Sequence, residues 1–355
     1  MRDSTRHRHL ARPRATRLAV GLALSCCLLA SCTSGQETQD HSAQGTTTPT
    51  EEPADRPGSP ATPSGSDPTR DAAPTAPSLR DPIAMAHQLD RAVATLRDRQ
   101  SPAADIRKAA EFQQLAVRAL ADSSSEFRRR VAARLHPQTA LVIRDCVRAA
   151  IALHTISNPE PTLPKWRIVP PPPPSRLLSY YRFAQRRTGV PWTYLAAINL
   201  VETRMGRIRG ASTAGALGPM QFLPSTWNRY GAGGDINDPR DAILAAARLL
   251  RANGAPADID QALWHYNPAG AYVRAVNAYA RTMQRSSSAY FGYWHWRVLY
   301  SRGRTTYLLP VGLPTDAGRT AGFERPRQTE IAPAVRDHDW GTSSDVSQSS
   351  GSAST

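Results

Sequence analysis

Glu202 closes an apolar stretch and stands directly before Thr203-Arg204-Met205-Gly206. Downstream follows the small-residue segment Ser212-Thr213-Ala214-Gly215-Ala216-Leu217-Gly218-Pro219-Met220-Gln221. A carboxyl group among apolar neighbours holds its proton toward neutral pH and can act as a general acid. Glycine and alanine at short intervals let a backbone approach a bulky ligand closely. The amide of Gln221 both donates and accepts hydrogen bonds, and Tyr266-Asn267 adds a hydroxyl and a second amide.

Competing chemistries fail on their spacing. Gly234-Asp235-Ile236-Asn237-Asp238-Pro239-Arg240-Asp241 has the look of a calcium loop. Counted from Asp235, however, Pro239 takes the fifth place, Arg240 the sixth and Ala246 the twelfth, where oxygen ligands and a glycine are required. Cys146 lies in the helical apolar pattern of Val142, Ile143, Val147 and Ile151, with no histidine nearby in sequence. It reads as a small buried hydrophobe rather than a nucleophile. No phosphate loop is present, and neither a metal nor a cofactor is expected.

The elements that must position Glu202 follow from periodicity. Pro191 suits a first helical turn, and Trp192, Tyr194, Leu195, Ala196, Ala197, Ile198, Leu200 and Val201 make a helix apolar on most faces, hence a buried one. Glu202 arrives at its C-terminal end, where desolvation and the negative end of the helix dipole both raise a carboxyl pKa. Arg204 and Arg207 lie past that end and are expected to point to solvent. Before it, Ser175 is expected to cap a helix through Leu177, Leu178, Tyr181 and Ala184 that ends near Gly189. After it, Asp238 or Asp241 caps a helix from Ala242 to Arg251.

Glu-Thr-x-x-Gly, then Ser-x-x-Gly-Ala-x-Gly-x-Met-Gln, then Tyr266-Asn267 resembles the lytic transglycosylases of peptidoglycan, over residues 176–285. The resemblance implies a lysozyme-like helical domain in which Glu202 is the single catalytic acid. Ser212 would contact the sugar or hold Glu202, Gln221 would bond beside the scissile linkage, and Tyr266 and Asn267 would line the cleft. The implied reaction cuts the N-acetylmuramic acid–N-acetylglucosamine bond and leaves a 1,6-anhydro end. The other readings are a lysozyme-like hydrolase, which needs a second carboxylate, and a non-catalytic wall-binding protein. His265 stands where the family usually has alanine, and Pro268-Ala269-Gly270 carries an extra residue before its glycine. Trp227 is a candidate sugar floor, with core packing the alternative.

The rest of the chain reads as delivery and support. Arg2, Arg6, Arg8, Arg12, Arg14 and Arg17 precede an apolar run, 18–30, too short to span a bilayer, which ends in Leu29-Ala30-Ser31-Cys32. This resembles a bacterial lipobox, so residues 1–31 are expected to be a lipoprotein signal, with Cys32 lipidated and the protein lipid-anchored outside the cytoplasm. Residues 32–80 are polar and proline-rich, a disordered tether. Residues 81–157 show helical spacing in four segments, with Ser101-Pro102 opening the second and Pro137 the fourth: a small bundle, a possible surface for cell-wall proteins. The prolines of residues 158–175 form a semi-rigid linker. Residues 286–313 hold an aromatic cluster and a short hairpin, and 314–355 a polar disordered tail. The fold class is therefore mainly α. A net charge of +15, almost all of it arginine, comes without a nucleic-acid recognition motif and suits the anionic peptidoglycan wall.

Overall fold

The computed structural model describes residues 80–157, 165–302, 305–312 and 328–329. The signal, Cys32, the tether and most of the tail lie outside the described residues. The described part is mainly α, as the periodicity requires.

Four helices come first: α1 (Pro82–Arg97), α2 (Ala103–Asp122), α3 (Ser125–Ala132) and α4 (Pro137–His154). Asp81 caps α1 by accepting from the Ile83 amide at 2.7 Å, and Ser124 caps α3 by accepting from Phe127 at 3.1 Å. Ser101 does not cap α2, whose N-cap is Pro102 with no side-chain bond. Strand β1 (Arg167–Ile168) follows, then α5 (Pro174–Thr188). Ser175 is inside the first turn of α5 rather than its cap, because the proline run already sets the helical entry at Pro173 and Pro174. Gly189, at φ 78°, ends α5 in the left-handed conformation.

Helix α6 (Trp192–Thr203) is the buried helix expected, with Leu195, Ala196, Ala197, Ile198 and Leu200 fully enclosed. Strand β2 (Ile208–Arg209) returns antiparallel to β1. Helices α7 (Pro224–Tyr230), α8 (Pro239–Ala252), α9 (Ile259–Tyr266), α10 (Gly270–Arg285) and α11 (Ser288–His295) complete the helical part. Asp238 caps α8 by accepting from the Arg240 and Asp241 amides at 2.8 and 3.0 Å. The hairpin of β3 (Val298–Arg302) and β4 (Thr305–Leu309) gains a third strand, β5 (Gln328–Thr329), from a segment read as disordered tail.

Helix α10 organises the core. It is wedged between α4 and α6, which its small residues Ala271, Ala275, Ala278 and Ala280 permit by letting neighbouring backbones come close. One hydrophobic cluster runs from Met85 on α1 to Trp296 beyond α11, so the four N-terminal helices share their core with α6 and α10. At the α4–α10 seam the carboxylate of Asp145, only 1% exposed, accepts from Arg285 at 2.6 Å.

The proline run is fastened as well. Pro172 O accepts from the Trp294 indole at 2.9 Å, and Pro174 O from the Tyr290 hydroxyl at 2.7 Å. The aromatic segment is helix α11, and its Tyr290 and Tyr293, with the following Trp296, are buried between the N-terminal helices and the rest. Gln114 exchanges two bonds of 2.8 Å with the Arg297 backbone, tying α2 to the end of this segment.

Asp145→Ala would remove the buried carboxylate that the partly exposed Arg285 bonds at this seam and is expected to cost about 1 kcal/mol. Thermal unfolding should show this as one lowered transition for the helices together. Two separate transitions, with only the first shifted, would contradict the shared core.

Candidate active site

The end of α6 is built to stop the chain hard behind Glu202. Arg204, Met205 and Gly206 have φ of 53°, 61° and 81°, a left-handed run that only the glycine adopts without strain. Buried bonds hold it. Met205 N donates to Asn199 O at 3.0 Å, and Gly206 N to Thr203 Oγ1 at 3.1 Å. Asn199 and Thr203 are buried polar residues of a mostly apolar helix, and both donate to Pro219 O, at 2.7 and 2.6 Å. Tyr181 completes the network from α5 by donating to Asn199 Oδ1 at 2.6 Å. The helix that carries the acid is thereby tied to the loop that carries Gln221.

That loop is closed by the paired Leu217 and Phe222, which exchange backbone bonds of 2.8 and 2.9 Å. Gly218 sits at φ 74°, and a Cβ there would come within 1.9 Å of Ile236 O, so no other residue fits. Gln221 adopts φ 50°, uncommon for a side chain of its kind, and its Nε2 donates to Gly218 O at 2.9 Å. Met220 is fully buried, a wall, and its carbonyl accepts from the Tyr266 hydroxyl at 2.5 Å. Trp227 is half-buried and packs edge-on against Phe222, 5.5 Å between centroids.

Glu202 is half-buried and accepts from the Tyr272 hydroxyl at 2.7 Å. Burial pushes its pKa up to about 7, and the Tyr272 bond, which favours the ionised form, pulls the other way. Arg204 and Arg207 are not in solvent. Both are buried, held over the rings of Trp296 and Trp294 at 5.8 and 5.6 Å, because those aromatics offer faces on which a guanidinium stacks. Arg207 also donates to the Trp294 and Trp296 carbonyls at 2.6 and 3.0 Å. Neither arginine is among the causes of the shift at Glu202, which burial alone drives upward.

Tyr272 went unread in the sequence. It lies in the first turn of α10 and its ring stacks on Tyr266, 6.2 Å between centroids at 5°. The one signal available was general: a tyrosine on a core-facing helix needs a partner for its hydroxyl. Tyr266 is brought beside the acid, and the charge of Glu202 is among the causes that raise its phenol pKa, after burial. Asn267 caps α9, and its Oδ1 is buried without a hydrogen-bond partner. Ser212 is 7% exposed, and its Oγ accepts from Ala216 N at 2.9 Å, closing its own turn rather than bonding Glu202. His265 is exposed on α9.

A buried helix that ends in a carboxyl group of raised pKa, with Tyr272 bonded to it and Tyr266 beside it, lies within a helical domain of the lysozyme-like kind. Residues 179–288 match the family model of the transglycosylase SLT domain, whose members are lytic transglycosylases acting on peptidoglycan. This third of the chain is therefore a lytic transglycosylase-like domain. No curated protein and no solved structure matches the chain.

Two outcomes are expected at this site. Tyr272→Phe removes the bond that favours the carboxylate, so the alkaline limb of the activity profile should move to higher pH. Turnover should fall by about tenfold or more through lost orientation. An unmoved limb would contradict the assigned contact. Glu202 also holds its proton more tightly folded than unfolded. The folded state thus binds more protons between pH 4.5 and about 7, and stability falls as pH rises through that window. Glu202→Gln should then be nearly neutral at pH 4 and stabilising by up to about 3 kcal/mol at pH 8, read from denaturant midpoints.

Proposed function

We propose that the protein is a peptidoglycan lytic transglycosylase in which Glu202 is the only acid/base. The supporting observation is the environment of this one carboxyl group. Its pKa is raised to about 7 by burial, it is oriented by Tyr272, and no other charged group contributes to the shift. An acid poised near neutral pH can donate its proton and take one back within a single turnover.

In this reading Glu202 protonates the oxygen of the N-acetylmuramic acid–N-acetylglucosamine bond as that bond breaks. The substrate's own N-acetyl group stabilises the cation at the anomeric carbon. The Glu202 carboxylate then takes the proton of the muramic 6-hydroxyl, whose oxygen closes on the anomeric carbon. A 1,6-anhydro sugar leaves, Glu202 is protonated again, and no water is consumed. Tyr272 steadies the carboxylate through both transfers. The orphaned Oδ1 of Asn267 is an acceptor left for a substrate hydroxyl or amide, and an unfilled buried acceptor is costly without one. In this reading Gln221, whose Nε2 already donates to Gly218 O, would offer its amide oxygen to the substrate, while Ser212 closes the same loop. Tyr266 fixes the loop floor through Met220.

We further propose that the chain works outside the cytoplasm on a lipid anchor at Cys32, with residues 32–80 as its tether. The reading rests on the basic and apolar N-terminal pattern and on the polymer being extracytoplasmic.

Digestion of purified peptidoglycan, followed by mass spectrometry, tests the reaction. Muramic ends lighter by one water than hydrolytic products are expected, and Glu202→Gln should lower their rate by about a thousandfold. Hydrated reducing ends would identify a hydrolase instead, and undiminished wall effects in Glu202→Gln a binding protein.

A further inference from the structure

A well-formed recess lies away from Glu202. It is an open pocket of about 660 Å³ between the C-terminal ends of α5 and α8, lined by Arg187, Arg248 and Arg251 with Gly189 and Pro256. No carboxylate lines it. Elsewhere several arginines are answered by acids, as Arg285 is by Asp145, Arg297 by Glu111 and Arg118 by Asp122. Here each guanidinium is held by a neutral group. Arg187 lies over the Phe183 ring at 5.6 Å. Arg248 donates to Tyr230 O at 3.1 Å, and Arg251 to Ala255 O at 3.3 Å. These contacts fix the cations in place without neutralising them. The carbonyl ends of α5 and α8 together offset about one of the three charges, which leaves the pocket clearly positive.

Arginine's planar fork matches the two oxygens of a carboxylate, and fixed forks lose little freedom on binding one. The position sets which carboxylate. Gly189 lies just before the start of α6, whereas Glu202 is at the far end of that 12-residue helix, about 18 Å away along its axis. A peptide of about five residues, fully extended, spans ~17 Å. A fully extended peptide stem carried by a sugar in the cleft is thus comparable in length to the distance that separates the acid from these arginines.

We propose that this pocket is an exosite for the free carboxylate of the peptide stems of peptidoglycan, gripping the strand at a second point while Glu202 cuts it. The identity of the ligand rests on the peptidoglycan reading above, but its test does not depend on turnover. Full-length protein carrying Glu202→Gln, which leaves the pocket intact, is titrated with a stem-bearing glycan fragment and with the same fragment whose terminal carboxylate is converted to a carboxamide. The carboxylate form should bind about fivefold more tightly, the scale of one exposed charge pair. Adding Arg187→Gln and Arg251→Gln, both on the surface, should erase that preference while leaving affinity for peptide-free strands unchanged. Equal affinity for the two fragments, or no binding of either, overturns the proposal. So does a preference that survives the arginine changes, or arginine variants that lose only binding to anionic lipid vesicles. Binding with the expected preference, together with no cleavage by the unsubstituted protein, would instead contradict the catalytic reading and leave the pocket standing.

Discussion

A carboxyl group that keeps its proton near neutral pH must be denied both bulk water and a nearby cation, yet remain reachable by substrate. Most of the described structure serves that constraint at Glu202. The helix that carries it is buried nearly all round, and the chain behind it turns away through three left-handed residues, Arg204, Met205 and Gly206. The two arginines released by that turn are drawn off onto Trp294 and Trp296. The hydrogen bond left to the acid comes from a neutral donor, Tyr272, with Tyr266 stacked beside it.

That donor explains why the N-terminal helices belong with the site. Tyr272 is set by α10, and α10 is covered on one side by α6 and on the other by α4, with Asp145 and Arg285 pinning the seam. The aromatic helix α11 and the fastened proline run close the remaining gap between these layers. Of the N-terminal helices α4 packs on α10, while α2 supports α4 and α11 from behind. Strain at the left-handed residues costs about 1–3 kcal/mol each and persists only where its surroundings over-determine it. The bonds among Tyr181, Asn199, Thr203 and Pro219 supply that, and they align the acid with the Gln221 loop.

Much of this was legible in the sequence, and the misses share a cause. Helix positions around Leu89, Val93, Phe127 and Ile198 follow from local spacing, and the raised pKa of Glu202 follows from the apolar run before it. Long-range partners do not. Nothing local says that Arg207 will find carbonyls of residues 294 and 296, that Tyr272 will reach Glu202, or that Pro172 and Pro174 will accept from Trp294 and Tyr290. A proline run reads as a spacer until the aromatics that bind it are folded beside it. Ser212 shows the converse: its motif placed it near the cleft, but the hydroxyl is engaged by the Ala216 amide four residues on. The third strand at residues 328–329 has too few residues to leave any periodic signal.

The account stands on one proton. A site-resolved carboxyl titration of Glu202 by carbon NMR in the full-length protein, assigned by its loss in Glu202→Gln, measures it directly. The account expects a midpoint of about 7, moving higher in Tyr272→Phe. A midpoint near the ordinary 4.5 of a solvated glutamate would contradict it, since the acid would then reach the glycan already ionised.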